Sequence, residues 1–242
     1  MKHPIMRNAV FCGAITTLAI FASMRPAHAQ FVNLVQGNPQ SQLTAVSTPD
    51  AGALFIASRL DTFGLVANGE TLSGSVLSAV YTNSTGSLDF LYQISVTTTT
   101  GGVTGTNLND FSGFSTAAAF DKTDSFVTPA GTFTSGGKRP FGSQRVVGGG
   151  SVAFAFNSND LTAGGKSDGV LLSGDKSAIL IVRTNATNYV VANNATVNAA
   201  AAANVTVLAP ETGIIVVPEA GTLVLLVPGT VLGAMLIKRR RK

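Results

Sequence analysis

The sequence predicts an all-β protein, with an antiparallel β-sandwich body of jelly-roll-like form between an N-terminal signal helix and a C-terminal transmembrane helix. Three observations predict it. Several stretches alternate apolar and polar residues with a period of two, as a strand with one buried face does. Candidate strands recur every 8 to 15 residues, with clusters of Gly, Asn, Asp and Ser between them, a spacing suited to short antiparallel strands. Two uncharged apolar runs, one near each end, are flanked by cations.

Residues 51–57 and 75–82 are the first strand candidates. In 88–97, Leu88, Phe90, Tyr92, Ile94 and Val96 alternate with Asp89, Leu91, Gln93, Ser95 and Thr97; only Leu91 breaks the pattern. Residues 116–120 fit one helical turn, a strand or a loop. Val152, Phe154 and Phe156 alternate with smaller neighbours. The run 178–182, AILIV, is apolar on both faces, as a central strand is. Residues 203–208 close the series. The alanines at 199–203 favour a helix by propensity, but the flanking Val, Thr and Asn residues favour strand and turn. The Thr/Gly stretch 96–107 reads as an exposed hairpin end. The prolines of 209–216 and its neighbourhood read as a linker.

The ends carry addresses. Residues 1–8 hold Lys2 and Arg7, residues 9–22 are apolar and uncharged, and a short polar stretch ends in Ala27-His28-Ala29. That order is a signal peptide spanning 1–29 with an A-x-A cleavage site, cut between Ala29 and Gln30. At the other end, Val217-Pro218-Glu219-Ala220-Gly221 precedes an uncharged run to Ile237 and then Lys238-Arg239-Arg240-Arg241-Lys242. Residues 221–237 would span about 25 Å as a helix, slightly under a hydrocarbon core of roughly 30 Å. The basic cluster can snorkel to make up the difference. It also stops transfer, so the body is expected outside the cytoplasm.

Val217-Pro218-Glu219-Ala220-Gly221, the short span and the Arg-rich end together resemble the PEP-CTERM sorting signal of exported proteins in Gram-negative bacteria that make extracellular polysaccharide. The likeness covers residues 217–242. The family usually carries a second proline where this chain has Ala220. The resemblance implies recognition by an exosortase, a membrane-embedded cysteine protease or transpeptidase. Partners are then signal peptidase and the secretion translocon, an exosortase-like protease, membrane lipid around the helix, and exopolysaccharide. Upstream, Ala209-Pro210-Glu211-Thr212-Gly213 resembles the sortase motif, with Ala in place of Leu; an uncut single-pass anchor is the third reading of the tail.

Composition removes several chemistries. The two ends hold 8 of the 16 basic residues. Residues 30–217 keep 8 basic against 11 acidic residues, a net charge of −3, so the basic balance is no nucleic-acid footprint. Cys12, His3 and His28 all precede Gln30, and there is no Trp. The mature body would then have no disulfide, no Cys/His zinc site and no Ser-His or Cys-His pair. No cofactor is expected.

Loops 121–124, 157–160 and 166–169 offer oxygen ligands of the kind calcium takes, without the repeating spacing of a calcium loop. Asp and Asn form turns equally well. Lys138, Arg139 and Arg145 form a basic group near Phe141. Asn83, Asn185, Asn194 and Asn204 begin N-x-S/T sequons, which point at most to exposure. The leading expectation is a non-enzymatic exported surface or matrix protein. The alternative is an anchored β-sandwich module that binds calcium or glycan. An enzyme working through an Asp pair is the third, and needs two carboxyls roughly 5 to 10 Å apart in a cleft.

Overall fold

Tyr92 and its alternating neighbours do form a strand, and Leu91 shows why the alternation is imperfect. The computed structural model of the chain describes residues 30–67, 69–156 and 168–211. Within them lie thirteen strands and no helix. The stretch 1–29 read as a signal peptide, residues 157–167, and residues 212–242, on which the sorting motif, apolar span and basic tail are read, lie outside the described residues. Among the described residues no helix is long and apolar enough to cross a membrane.

The strands are β1 (Val32–Asn33), β2 (Phe55–Ala67), β3 (Glu70–Thr82), β4 (Leu88–Thr99), β5 (Gly105–Leu108), β6 (Thr116–Asp121), β7 (Phe126–Thr128), β8 (Gly131–Phe133), β9 (Gly142–Arg145), β10 (Val152–Ala155), β11 (Ile179–Thr184), β12 (Tyr189–Asn198) and β13 (Ala202–Pro210). Six form one sheet in the order β1-β6-β11-β4-β3-β2, and five form a second in the order β13-β12-β5-β10-β9. β7 and β8 make a separate ribbon. Every pairing between named strands is antiparallel.

The two sheets share one core. Phe63, Val76, Phe90, Tyr92, Ile94 and Leu180 from the larger sheet meet Leu108, Val152, Phe154, Val197 and Val207 from the smaller. A second apolar cluster lies on the other face of the six-stranded sheet. There Leu77, Ala79, Leu91, Ile179 and Ile181 pack with Val46, Phe126, Phe133 and Ala130 of the ribbon and the N-terminal segment. The sheet is therefore covered on both faces. That accounts for the apolar run of β11: Leu180 and Val182 face the main core, Ile179 and Ile181 the second. It accounts for Leu91 too, which is fully buried beneath the ribbon. Gln93, the next residue on that face, is buried as a cross-tie. Its Nε2 donates to Thr134 O (2.7 Å) and Ser177 O (3.0 Å), and its Oε1 accepts from Thr134 N (2.9 Å).

Several expectations need correcting. The stretch 96–107 is not a hairpin end: β4 belongs to the larger sheet and β5 to the smaller, so these residues cross between layers. Residues 116–120, for which the sequence allows a helical turn, a strand or a loop, are strand β6, whose alanines let it lie between β1 and β11 with both faces covered. The strand read at 51–57 begins at Phe55 and runs on to Ala67. β13 reaches Pro210, opposite Tyr189, two residues into the stretch read as linker. The alanine run makes the β12–β13 turn, where Ala199 N donates to Ala201 O (2.8 Å).

Candidate functional site

The loop acids named from the sequence serve first as turn and tether groups. Asp121 ends β6 and is wholly buried. Its Oδ1 accepts from Thr123 N (2.7 Å), Thr123 Oγ1 (2.9 Å) and Asp124 N (3.1 Å), which closes an Asx turn. Its Oδ2 accepts from Thr48 N (2.9 Å), and Asp124 Oδ2 shares that donor at 3.2 Å. A hydrogen bond between the two carboxyls, aided by burial and by the Asp121 charge, raises the Asp124 pKa. Glycoside-cleaving carboxyls must leave room for a sugar bond between them; these two touch, and one is sealed from solvent. The pair fastens the N-terminal segment to the larger sheet.

Lys138 and Arg139 do meet, but over acids rather than open solvent. Lys138 Nζ lies 2.7 Å from Asp175 Oδ2 and donates to Val170 O (2.9 Å). Asp168 takes Lys122 Nζ at 2.6 Å, Arg139 N at 3.1 Å and Arg139 Nε at 3.4 Å. Burial works against the charge of Asp168 and of Asp175. Hydrogen bonds and the nearby cations outweigh it, holding both carboxyls below their ordinary range. Arg145 is elsewhere, donating to Gly149 O (3.1 Å) and Phe111 O (3.0 Å). Loop 121–124, the basic stretch 138–139 and the acids Asp168 and Asp175 are thus laced to one another by charge.

Arg183 is the cluster that sequence reasoning missed. β11 sets it directly opposite Asp89 of β4. Its Nε reaches Asp89 Oδ1 (3.0 Å) and Oδ2 (3.1 Å), and its Nη2 reaches Asp89 Oδ2 (2.7 Å) and also Asp50. Phe31 lies against the guanidinium, 3.9 Å from ring centroid to Cζ. Burial opposes the charge of Arg183, yet Asp89 and Asp50 hold its pKa above the usual value. The available signal was a lone Asp and a lone Arg, each interrupting an apolar strand.

The sequons disagree with their expected exposure at two places. Asn83 is buried; its Nδ2 donates to Asp89 Oδ1 (3.1 Å), while its Oδ1 accepts from Thr85 N and Ser87 N. Asn194 is buried and donates to Asp110 Oδ2 (2.9 Å). Asp110 is exposed and has a left-handed backbone, φ 68°. It lines an open pocket of about 240 Å³ with Ser112, Val190, Pro210 and Glu211. Behind it, burial and then the Asp110 charge raise the pKa of Tyr92, whose hydroxyl donates to Leu208 O (2.7 Å). Among the described residues no group of three or more His, Cys, Asp or Glu is placed to hold a metal ion. Gln30, the one described residue of the expected cleavage site, is exposed. No family model, no curated protein and no solved structure matches the chain.

Proposed function

We propose that the chain is a non-enzymatic exported protein of the cell surface or extracellular matrix, sorted by an exosortase-type system and associated with exopolysaccharide. The observation that carries this reading is the order of features in the sequence. A basic, apolar, A-x-A leader stands at one end; Val217-Pro218-Glu219-Ala220-Gly221, an apolar span and five cations stand at the other. Between them lies a β-rich body whose loop charges are largely committed to one another. The chain passes repeatedly between two sheets, which supports a jelly-roll-like sandwich. In this reading signal peptidase cuts after Ala29, the span 221–237 holds the protein in the inner membrane, and an exosortase-like protease acts near Glu219. The test is the intact mass of the protein from its native host. A product beginning at Gln30 and lacking the basic tail is expected; one that begins at Met1 or keeps Lys242 overturns the proposal.

One observation favours a calcium-binding module as the second reading. Asp110 and Glu211 line the same open pocket, and Asn194 Oδ1 beside Asp110 is buried without a protein partner. Calorimetric titration with calcium decides: saturable heat that Asp110→Asn abolishes supports the module, and no heat removes it.

A further inference from the structure

We propose that β2 is a docking edge for a second copy of this chain, forming a two-fold dimer in which the six-stranded sheets of both copies join. The inference does not depend on the export reading. Open sheet edges invite pairing, and proteins blunt them by shortening, covering or charging them. Three of the four edges here are blunted. β1 has only two residues. β9 is covered by the N-terminal segment between β1 and β2: Ser41 N donates to Ser143 O (2.8 Å), Ser143 N to Ser41 O (3.0 Å), and Gly37 N to Arg145 O (3.2 Å). On β13, side chains of the other sheet answer the backbone. Thr206 N donates to Asp61 Oδ2 (3.0 Å), Leu208 N to Ser78 Oγ (3.3 Å), and Leu208 O accepts from Tyr92.

β2 is neither short nor covered by another described segment, and its two charges are opposite in sign. It is 13 residues long, holds neither Pro nor Lys, and pairs only with β3 among the described strands. Leu54 just before it, and Phe55, Ile56, Leu60 and Val66 along it, are exposed, Val66 to 80%. Its charges select the occupant. Only Arg59 and Asp61 are charged, and they flank Leu60. Antiparallel pairing of two β2 strands about a two-fold axis at Leu60 places each Arg59 opposite Asp61 of the other copy. The two Leu60 side chains then meet at the axis, and each Val66 comes beside the Leu54–Ile56 end of the other strand. Parallel in-register pairing would oppose like charges, which is unfavourable. Arg59 now has a single carboxylate contact, to Asp61 at 3.5 Å, and its Nε is buried without a hydrogen-bond partner. An isologous contact on the one long edge left open among the described strands closes at two copies and does not propagate.

The test uses the full chain with Cys12→Ser, in non-ionic detergent, carrying Leu60→Cys and treated with a short bis-maleimide. Two-fold pairing at Leu60 predicts a covalent dimer. Ser58→Cys should give little, because its counterpart is displaced by roughly 13 Å, four strand positions. Light scattering of the uncross-linked chain should give twice the monomer mass. Leu60→Lys and Arg59→Glu, both with unchanged circular dichroism, should each weaken the dimer about tenfold by opposing like charges. Three outcomes overturn the proposal: a monomer, equal cross-linking at positions 58 and 60, or a dimer indifferent to both charge variants. Self-association through the chain ends, or capture of a different polypeptide by β2, would leave the Leu60→Cys cross-link absent and likewise count against it.

Discussion

Asp121 and Asp124 show how position, not residue type, decides what a carboxyl does. Asp121 has its oxygens filled by amides and a hydroxyl; Asp124 is left to share Thr48 N and to hydrogen-bond its neighbour. A raised carboxyl pKa has a definite sign. As pH rises past the unfolded value of about 4, the folded chain holds a proton at Asp124 that the unfolded chain has lost, so this group costs stability at neutral pH. Asp168 and Asp175 act the other way: their contribution is present above the unfolded value and is lost as pH falls through their depressed ones. Asp124→Asn keeps a donor toward Asp121 and an acceptor for Thr48. It is expected to raise the thermal midpoint at pH 7, with the gain vanishing below about pH 4. Melting curves across that range check it, and a lower midpoint at pH 7 would contradict the shared-proton account.

Elements here are fixed by what covers them. Gly137, just after the ribbon, passes so close to β11 that an added Cβ would sit 2.0 Å from Ser177 O and 2.6 Å from Ala178 N. Backbone atoms cannot yield as a side-chain tip can. Gly137→Ala should therefore cost about 1–3 kcal/mol in denaturant unfolding, while Gly136, with open space around it, carries no such clash. Strand identity was legible wherever large apolar residues alternated with polar or small ones, as in β4 and β10. The central place of β11 was legible in AILIV, because only a doubly covered strand is apolar throughout. The crossing at 96–107 was not, because Thr and Gly suit a hairpin and a crossover alike. The full reach of β2 was hidden because its outward residues are apolar without being buried. The Arg183–Asp89 pair needed register across 94 residues of chain, which no local pattern contains.

Taken whole, the molecule has two apolar compartments that share one sheet as a common wall. Neither can loosen without exposing that wall, so unfolding is expected as a single transition. Phe133, fully buried in the smaller compartment and stacked on Phe126 at 4.8 Å, is the probe. Phe133→Ala should cost roughly 3–5 kcal/mol, with near- and far-ultraviolet dichroism still melting together. Two separate melts would mean that the ribbon opens on its own. Less of the function than of the fold could be read from side chains in the body, where ionic groups are largely turned toward each other. The addresses we propose at 1–29 and 217–242 are legible for a different reason: as linear text for other machinery, they would need no tertiary partner to be recognised in the sequence.

The fastening of β13 has a mechanical consequence. Whatever pulls on the polypeptide past Pro210 would unzip β13 from β12 one rung at a time, the weakest way to load an antiparallel ladder. Two residues in, at Leu208, it meets the Tyr92 hydroxyl and Ser78 reaching across from the opposite layer. A tug at that end is thus passed from a peripheral strand to the heart of the larger sheet.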